Sequence, residues 1–129
     1  MSQKIKLVQG DTRPQLRYIV SDELTNAIVN IAGATVLLKF RAAGTQNILF
    51  TLTGYLQSGI EAEDGTVSQS APGEAYATPG SGGRVAFQFG AGNLNIEPGM
   101  YEGELEVTFA DSTIQTVYSV TKFQVRAQF

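Results

Sequence analysis

The chain of 129 residues is 43% hydrophobic, contains no cysteine, histidine or tryptophan, and carries 9 basic and 12 acidic side chains for a net charge of -3. Without imidazoles and thiols there is no Ser-His-Asp triad, no disulfide and none of the usual nitrogen or sulfur metal ligands, so we expect neither an enzyme nor a bound cofactor. The size predicts one domain over residues 1–129, and the acidic balance and the lack of any run of about 18 apolar residues argue against nucleic acid and membrane as partners.

Apolar and polar residues alternate along most of the chain, which is the pattern of β-strands. Turn-forming residues separate the alternating segments at intervals of roughly ten residues, as in β-sandwiches and β-barrels. The pattern therefore predicts an all-β protein. In chain order, the predicted strands cover residues 15–21, 35–41, 48–52 (with Ile48, Phe50 and Leu52 on one face), 85–89 and 101–109.

The C-terminal third predicts a hairpin followed by an irregular strand. Residues 110–112 (Ala-Asp-Ser) join two long alternating segments closely enough to form the hairpin turn. After the turn, the apolar residues first occupy even positions, such as Ile114 and Val120, and then odd positions, such as Phe123 and Val125. Since a change of parity in a strand is what a β-bulge or a bend produces, we predict one between Val120 and Phe123.

One long segment, residues 68–83, departs from the strand pattern because it is rich in glycine, proline and serine. Loops of this length in compact domains are either functional or mobile, so both a surface loop and a binding loop stay open. Tyr76 lies alone in this segment and is either a packed anchor or a residue that binds a partner.

Three glutamates, Glu102, Glu104 and Glu106, form a stripe on one face of the strand at 101–109, about 7 Å apart. Like charges at this spacing need solvent or basic neighbours. We favour a solvated face with cross-strand ion pairs over a patch that binds a partner protein, and the predicted basic neighbours are Lys39, Arg41 and Arg17.

Two further clusters are candidates for binding. Glu61, Glu63 and Asp64 place oxygens near a turn, but the spacing of a calcium loop is absent, so we expect a solvated hairpin end and no metal. Tyr55 and Tyr76 are aromatics outside the buried pattern, which leaves a carbohydrate-binding module as an alternative function.

The ordered turn and strand phrases resemble the immunoglobulin-like domain at the N-terminus of phage baseplate upper proteins and related tail proteins. The resemblance extends over nearly the whole chain. The phrases are residues 9–16 (Gln-Gly-Asp-Thr-Arg-Pro-Gln-Leu), 18–22 (Tyr-Ile-Val-Ser-Asp), 29–36 (Val-Asn-Ile-Ala-Gly-Ala-Thr-Val), 38–41 (Leu-Lys-Phe-Arg), 83–89 (Gly-Arg-Val-Ala-Phe-Gln-Phe), Leu94, and 98–111 (Pro-Gly-Met-Tyr-Glu-Gly-Glu-Leu-Glu-Val-Thr-Phe-Ala-Asp).

The resemblance implies an antiparallel, immunoglobulin-like β-sandwich with a structural, non-enzymatic role in a tailed-phage virion. It implies a tail- or baseplate-associated adaptor that is assembled in the host cytoplasm and docks to other virion proteins, in several copies within a symmetric assembly. A capsid-surface decoration protein is the alternative within the virion. The family brings no catalytic residues, and the residues predicted to form the interface are Tyr55, Tyr76, Glu102, Glu104, Glu106 and Phe129.

Overall fold

A computed structural model of the chain describes residues 4–13, 15–22, 24–62, 64–68, 76–117 and 120–128. Eleven strands form in this part of the chain, and it contains no helix long and apolar enough to cross a membrane. The strands are β1 (Ile5–Val8), β2 (Leu16–Ile19), β3 (Thr35–Ala42), β4 (Ile48–Thr53), β5 (Tyr55–Leu56), β6 (Ile60–Glu61), β7 (Val67–Ser68), β8 (Arg84–Phe87), β9 (Gly99–Thr108), β10 (Ile114–Thr116) and β11 (Thr121–Arg126).

The larger sheet, sheet A, has the strand order β1-β11-β9-β3-β4, and β10 also pairs with β9. The prediction of an entirely antiparallel fold is wrong at one place, because β1 runs parallel to β11, with Ile5 opposite Phe123 and Val8 opposite Arg126. Parallel strands need a long crossover between them, and here the crossover is the whole chain between the first and the last strand. Sheet A is therefore mixed.

The smaller sheet, sheet B, has the order β2-β8-β5, and β6 and β7 form a separate hairpin. Tyr18 of β2 packs edge-on against Phe87 of β8, and its hydroxyl donates a hydrogen bond of 3.0 Å to Thr121 Oγ1 at the start of β11. A side chain of sheet B thus reaches sheet A across the core. The described chain is an all-β sandwich, as the alternation predicts.

Phe40 of β3 lies at the centre of the core between the sheets. Its ring stacks on Phe50 at 4.6 Å and on Tyr101 at 5.4 Å between centroids, and it contacts Phe123 at 4.9 Å and Phe89 at 6.3 Å. Aromatic pairs at these separations add to the stabilisation from area burial. These five aromatic residues, which lie far apart in the sequence, meet in one cluster.

The predicted alternation of β9 is confirmed. Tyr101, Leu105 and Val107 are buried together with Gly103, while the intervening glutamates are half-exposed. The hairpin predicted at residues 110–112 is also confirmed, because β10 pairs antiparallel with the end of β9 and Ile114 lies opposite Thr108.

The placement of Ile48 differs from the prediction. The pairing of β3 with β4 changes register between Phe40 and Arg41, so that Phe50 lies opposite Phe40 whereas Ile48 lies opposite Arg41. Leu49 is the extra residue of this bulge. Ile48 therefore faces away from the core, although simple alternation puts it on the same face as Phe50.

The irregularity predicted between Val120 and Phe123 occurs earlier in the chain. Thr116 lies opposite Glu106, and the pairing with β9 resumes with Thr121 opposite Gly103, so the interruption falls between these two pairs. Gln115 lies opposite Val107 and Phe123 opposite Tyr101, both buried residues of β9, so odd positions face the core on both sides of the interruption. The predicted change of face is therefore wrong, and only the interruption is present.

The second half of the predicted loop at 68–83 packs against the rest of the domain. The Gly59 amide donates to the Tyr76 carbonyl at 2.8 Å, the Gly80 amide donates to Gln57 O at 3.0 Å, and Ile31 N donates to Gly80 O at 2.9 Å. Residues 69–75 lie outside the described residues. The described part, residues 76–83, is a hydrogen-bonded turn with buried glycines.

Candidate functional site: an uncharged edge and two outer faces

The side of the sandwich formed by residues 48–56 is here called the uncharged edge. It consists of β4, the last strand of sheet A, then Gly54, and then β5, the last strand of sheet B. No charged residue occurs anywhere between Arg41 and Glu61. Within the described residues, β4 pairs only with β3 and β5 only with β8, so one edge of each strand has no strand partner.

Large apolar side chains are exposed along the uncharged edge. Ile48 is 52% exposed, Leu49 is 47% exposed and Tyr55 is 62% exposed. Proteins usually block open strand edges with lysine or proline, and neither residue occurs here. The alternation predicts Tyr55 outside the buried pattern but does not predict the exposure of Ile48 and Leu49. The uncharged segment between residues 42 and 60 is the signal in the sequence that could have found them.

Gly54 keeps the two strands of the edge continuous. Its amide donates to Val36 O in sheet A at 2.8 Å, and the next residue, Tyr55, pairs with Ala86 of sheet B. A Cβ at position 54 would overlap the Val85 side chain and lie 3.0 Å from the Phe87 ring. The close approach to the core requires glycine, and it lets the chain pass from one sheet to the other without a loop.

The glutamate stripe lies on the outer face of sheet A, beside basic residues of β3. Lys39 lies opposite Glu104 and its Nζ is 2.8 Å from Glu106 Oε2, while Arg41 lies opposite Glu102 with its NH2 atom 3.4 Å from Oε1. The hydrogen bond to Glu106 raises the pKa of Lys39. The structure thus places two of the three predicted basic neighbours beside the stripe.

Arg17 is the exception, because it lies on β2 in sheet B and not beside the glutamates. Alternation alone does not tell which sheet a strand joins. Lys122 of β11, opposite Glu102 on the other side of β9, provides a third positive charge in its place. Lys39, Arg41 and Lys122 thus lie on the strands next to the three glutamates, so the stripe has basic neighbours on both sides.

The outer face of sheet B carries Arg17, Ala86 and Tyr55 in one row across its three strands. In the next row Ile19 lies opposite Arg84, whose carbonyl accepts a hydrogen bond of 3.0 Å from Gln57 N. Of the residues on this face, the sequence predicts only Tyr55 as a binding residue. Arg17 is predicted beside the glutamates instead, and nothing in the local sequence connects it with Arg84, because the two lie on β2 and β8, far apart in the chain.

The remaining predicted site residues do not join these surfaces into one site. Tyr76 is half-buried in the turn at 76–83, whereas Phe129 and Glu63 lie outside the described residues. Asp64 caps the turn of the β6–β7 hairpin by accepting a hydrogen bond of 2.9 Å from Thr66 N, and contacts with Thr66 lower the pKa of its carboxyl. The described residues contain no group of three acidic side chains close enough to hold a metal ion.

The fold and these surfaces define a β-sandwich with an open edge, and comparisons with known proteins add little. No protein-family model matches the chain, and no curated protein matches it. Among solved structures the chain is similar to AggA, the major subunit of aggregative adherence fimbriae type I from Escherichia coli, with 14% identity and a TM-score of 0.36 over 97% of this chain and 91% of that chain. At that TM-score the likeness carries no argument about function.

Proposed function

We propose that the protein is a non-enzymatic structural component of a tailed-phage virion, a tail- or baseplate-associated adaptor with an immunoglobulin-like sandwich. The resemblance of its turn and strand phrases to phage tail proteins supports the location. The observation that carries a docking role is the uncharged edge, where β4 has no partner on one side and Ile48 and Leu49 are exposed. In this proposal, other virion proteins dock there.

Docking at the uncharged edge proceeds by addition of a strand. The outward N–H and C=O groups of β4 pair with an extended segment of the partner, and the exposed apolar side chains of the edge are covered at the same time. Because no charged side chain lies between positions 42 and 60, strand addition buries no unpaired charge. This combination gives a stable contact without any catalytic or metal-binding group.

The location in the virion is tested by quantitative mass spectrometry of purified phage particles. We expect the protein to be present at a low copy number that is a multiple of three or six, following the symmetry of a tail or baseplate. A copy number on the order of hundreds would place it on the capsid surface, the alternative within the virion. Its absence from particles would refute both locations.

The docking surface is tested by placing a charge on the edge. Thr53→Lys lies at an exposed position of β4, opposite the uncharged Leu37, and Thr35→Lys places the same charge at an exposed position of β3, a strand that is paired on both sides. We expect Thr53→Lys to reduce incorporation into particles by about tenfold or more at an unchanged Tm, while the Thr35→Lys control is incorporated normally. Equal incorporation of both variants would rule out docking at the uncharged edge.

A further inference from the structure

The outer face of sheet B, here called the arginine face, carries planar polar side chains around a small central residue. Arg17 and Tyr55 lie on opposite sides of Ala86, each about 5 Å away across a strand pair. Ala86 is fully buried although its side chain points to this outer face, so its neighbours cover it. The Tyr55 side chain is thus exposed on one side of Ala86, and the Arg17 guanidinium lies on the other.

The arginines of this face have no acidic partner, in contrast to Lys39 and Arg41 of sheet A. Among the described residues, no carboxylate lies within 4.0 Å of Arg17 or Arg84, and both ion pairs of the described chain are on the other sheet. Arg84 is held in place because its NH1 atom donates to Ser58 O at 2.6 Å, and Arg17 Nε donates to Gln15 Oε1 at 3.3 Å. Both guanidiniums keep donors for a ligand.

Two shallow depressions adjoin Arg17. One of about 160 Å³ is bordered by Arg84, Gln57 and Glu61. The other, of about 590 Å³, is bordered by Arg13, Gln15 and Gln88, and the Gln88 amide is fixed by its donation to Thr12 O at 2.6 Å. A ligand seated over Arg17 reaches both depressions and meets amide groups that donate and accept hydrogen bonds.

We propose that the arginine face binds an acidic saccharide. The Tyr55 ring provides the stacking surface for the apolar face of a sugar ring, and Arg17 binds a carboxylate of the saccharide through its planar fork, with Arg84 as the second cation. The glutamine amides bind hydroxyl groups. This site is separate from the uncharged edge in everything except Tyr55, and it does not depend on the proposed place in the virion.

An acidic polypeptide would complement the charge of this face, but its backbone would have no strand to pair with at the centre of the face. A peptide gains much of its affinity by pairing along a free strand edge, whereas a ligand that contacts both Arg17 on β2 and Tyr55 on β5 crosses the face over β8, which is paired on both sides. A saccharide needs side chains alone, and the face offers an exposed aromatic ring, guanidiniums and amides. The observations therefore favour the saccharide.

The proposal is tested by titrating the protein with a short oligogalacturonate, with the neutral galactan of the same length, and with polyglutamate. We expect binding of the oligogalacturonate alone. Tyr55→Ala and Arg17→Gln each weaken it by about tenfold, because each removes one strong contact from an exposed position that leaves the fold intact. Glu61→Gln strengthens it, since it removes the carboxylate that borders the depression.

Lys122→Gln is the matched control, because it removes one positive charge from the outer face of sheet A, and we expect it to bind like the wild type. An equal loss on Lys122→Gln and Arg17→Gln would mean that only net charge matters and would overturn the site. Polyglutamate binding that depends on Arg17 but not on Tyr55 would replace the saccharide with an acidic polypeptide. Equal binding of the neutral galactan, or no binding at all, would also overturn the proposal, whatever mass spectrometry finds in particles.

Discussion

Gly103 in the middle of β9 offers a sharp test of how tightly the sandwich core is packed. A Cβ at this position would lie 2.8 Å from Phe123 Cε2 and 2.9 Å from Leu38 Cδ1. Both neighbours are fully buried and belong to the aromatic and aliphatic core around Phe40. Because protein interiors are packed at close to crystal density, neither side chain has free space to move into.

The magnitude of the Gly103→Ala effect follows from two opposing terms. Replacing a strand glycine with alanine normally stabilises a protein by about 0.5–1 kcal/mol, since the unfolded chain loses less entropy. Overpacking a well-filled core by one methyl group costs about 1–3 kcal/mol. Because both contacts of the new Cβ are shorter than 3.0 Å, we expect the overpacking cost in the upper part of its range, about 2–3 kcal/mol. The net loss in the free energy of unfolding is then about 1–2.5 kcal/mol, which at about 4 °C per kcal/mol lowers the Tm by about 4–10 °C.

The assay is urea and thermal unfolding of the wild type, Gly103→Ala, Phe123→Leu and the double variant. Phe123→Leu removes the ring atoms that the new methyl group meets. The loss of unfolding free energy in the double variant should therefore be smaller than the sum of the two single losses, by about 1 kcal/mol. Thr108→Ala, on the outer face of the same strand, is the control for strand propensity. A Gly103→Ala protein as stable as the wild type would refute the close packing described at this position.

The other predictions concern single turns and ion pairs. Ser112 has a φ of 73° in the β9–β10 turn, so Ser112→Gly should raise the free energy of unfolding by about 0.5 kcal/mol in urea titrations, and a loss would contradict the strain. The pKa of Lys39 is raised above 10.5, chiefly by its hydrogen bond to Glu106, so the ion pair stabilises the fold below that pH and its contribution is lost as pH rises through the folded pKa. Lys39→Met should therefore lower the free energy of unfolding by less than about 1 kcal/mol at neutral pH, and should leave it unchanged well above the folded pKa of Lys39. A loss of unfolding free energy that does not change with pH would exclude the ion pair as its cause. The Thr113 hydroxyl and amide lower the pKa of Asp111 below 3.8, so the contact is present above that pH and is lost as pH falls through the folded pKa. Hydrogen exchange of the Thr113 amide, corrected for its intrinsic rate, should accelerate in that acid range and be fast at every pH in Asp111→Ala; an amide equally protected in both proteins would argue against the capping contact.

The strand pattern predicts β9 correctly because its alternation is uninterrupted and one of its faces is buried from Tyr101 to Val107. The same rule misplaces Ile48, since a bulge adds one residue to β4 and nothing in the local sequence marks it. The pairing of strands is also beyond local pattern. Arg17 and Glu104 both occupy polar positions of alternating segments, yet they lie on different sheets because long-range packing decides which strands meet.

The candidate surfaces also differ in whether the local sequence pattern predicts them. The charge balance of the glutamate stripe was predictable because Lys39 and Arg41 share one parity on a neighbouring strand. The arginine face was not, because it combines β2, β5 and β8 from three separate parts of the chain. Its recognition needs the register that places Arg17, Ala86 and Tyr55 in one row.

The parallel pairing of β1 with β11 has a mechanical consequence. Because the two strands run in the same direction, a force that pulls the chain apart from Ile5 and from Arg126 acts along both strands in opposite senses. The hydrogen bonds between them are then loaded together in shear, whereas an antiparallel terminal pair pulled from one end opens one bond after another. A domain built in this way resists tension applied between its first and last strands with its whole terminal ladder at once.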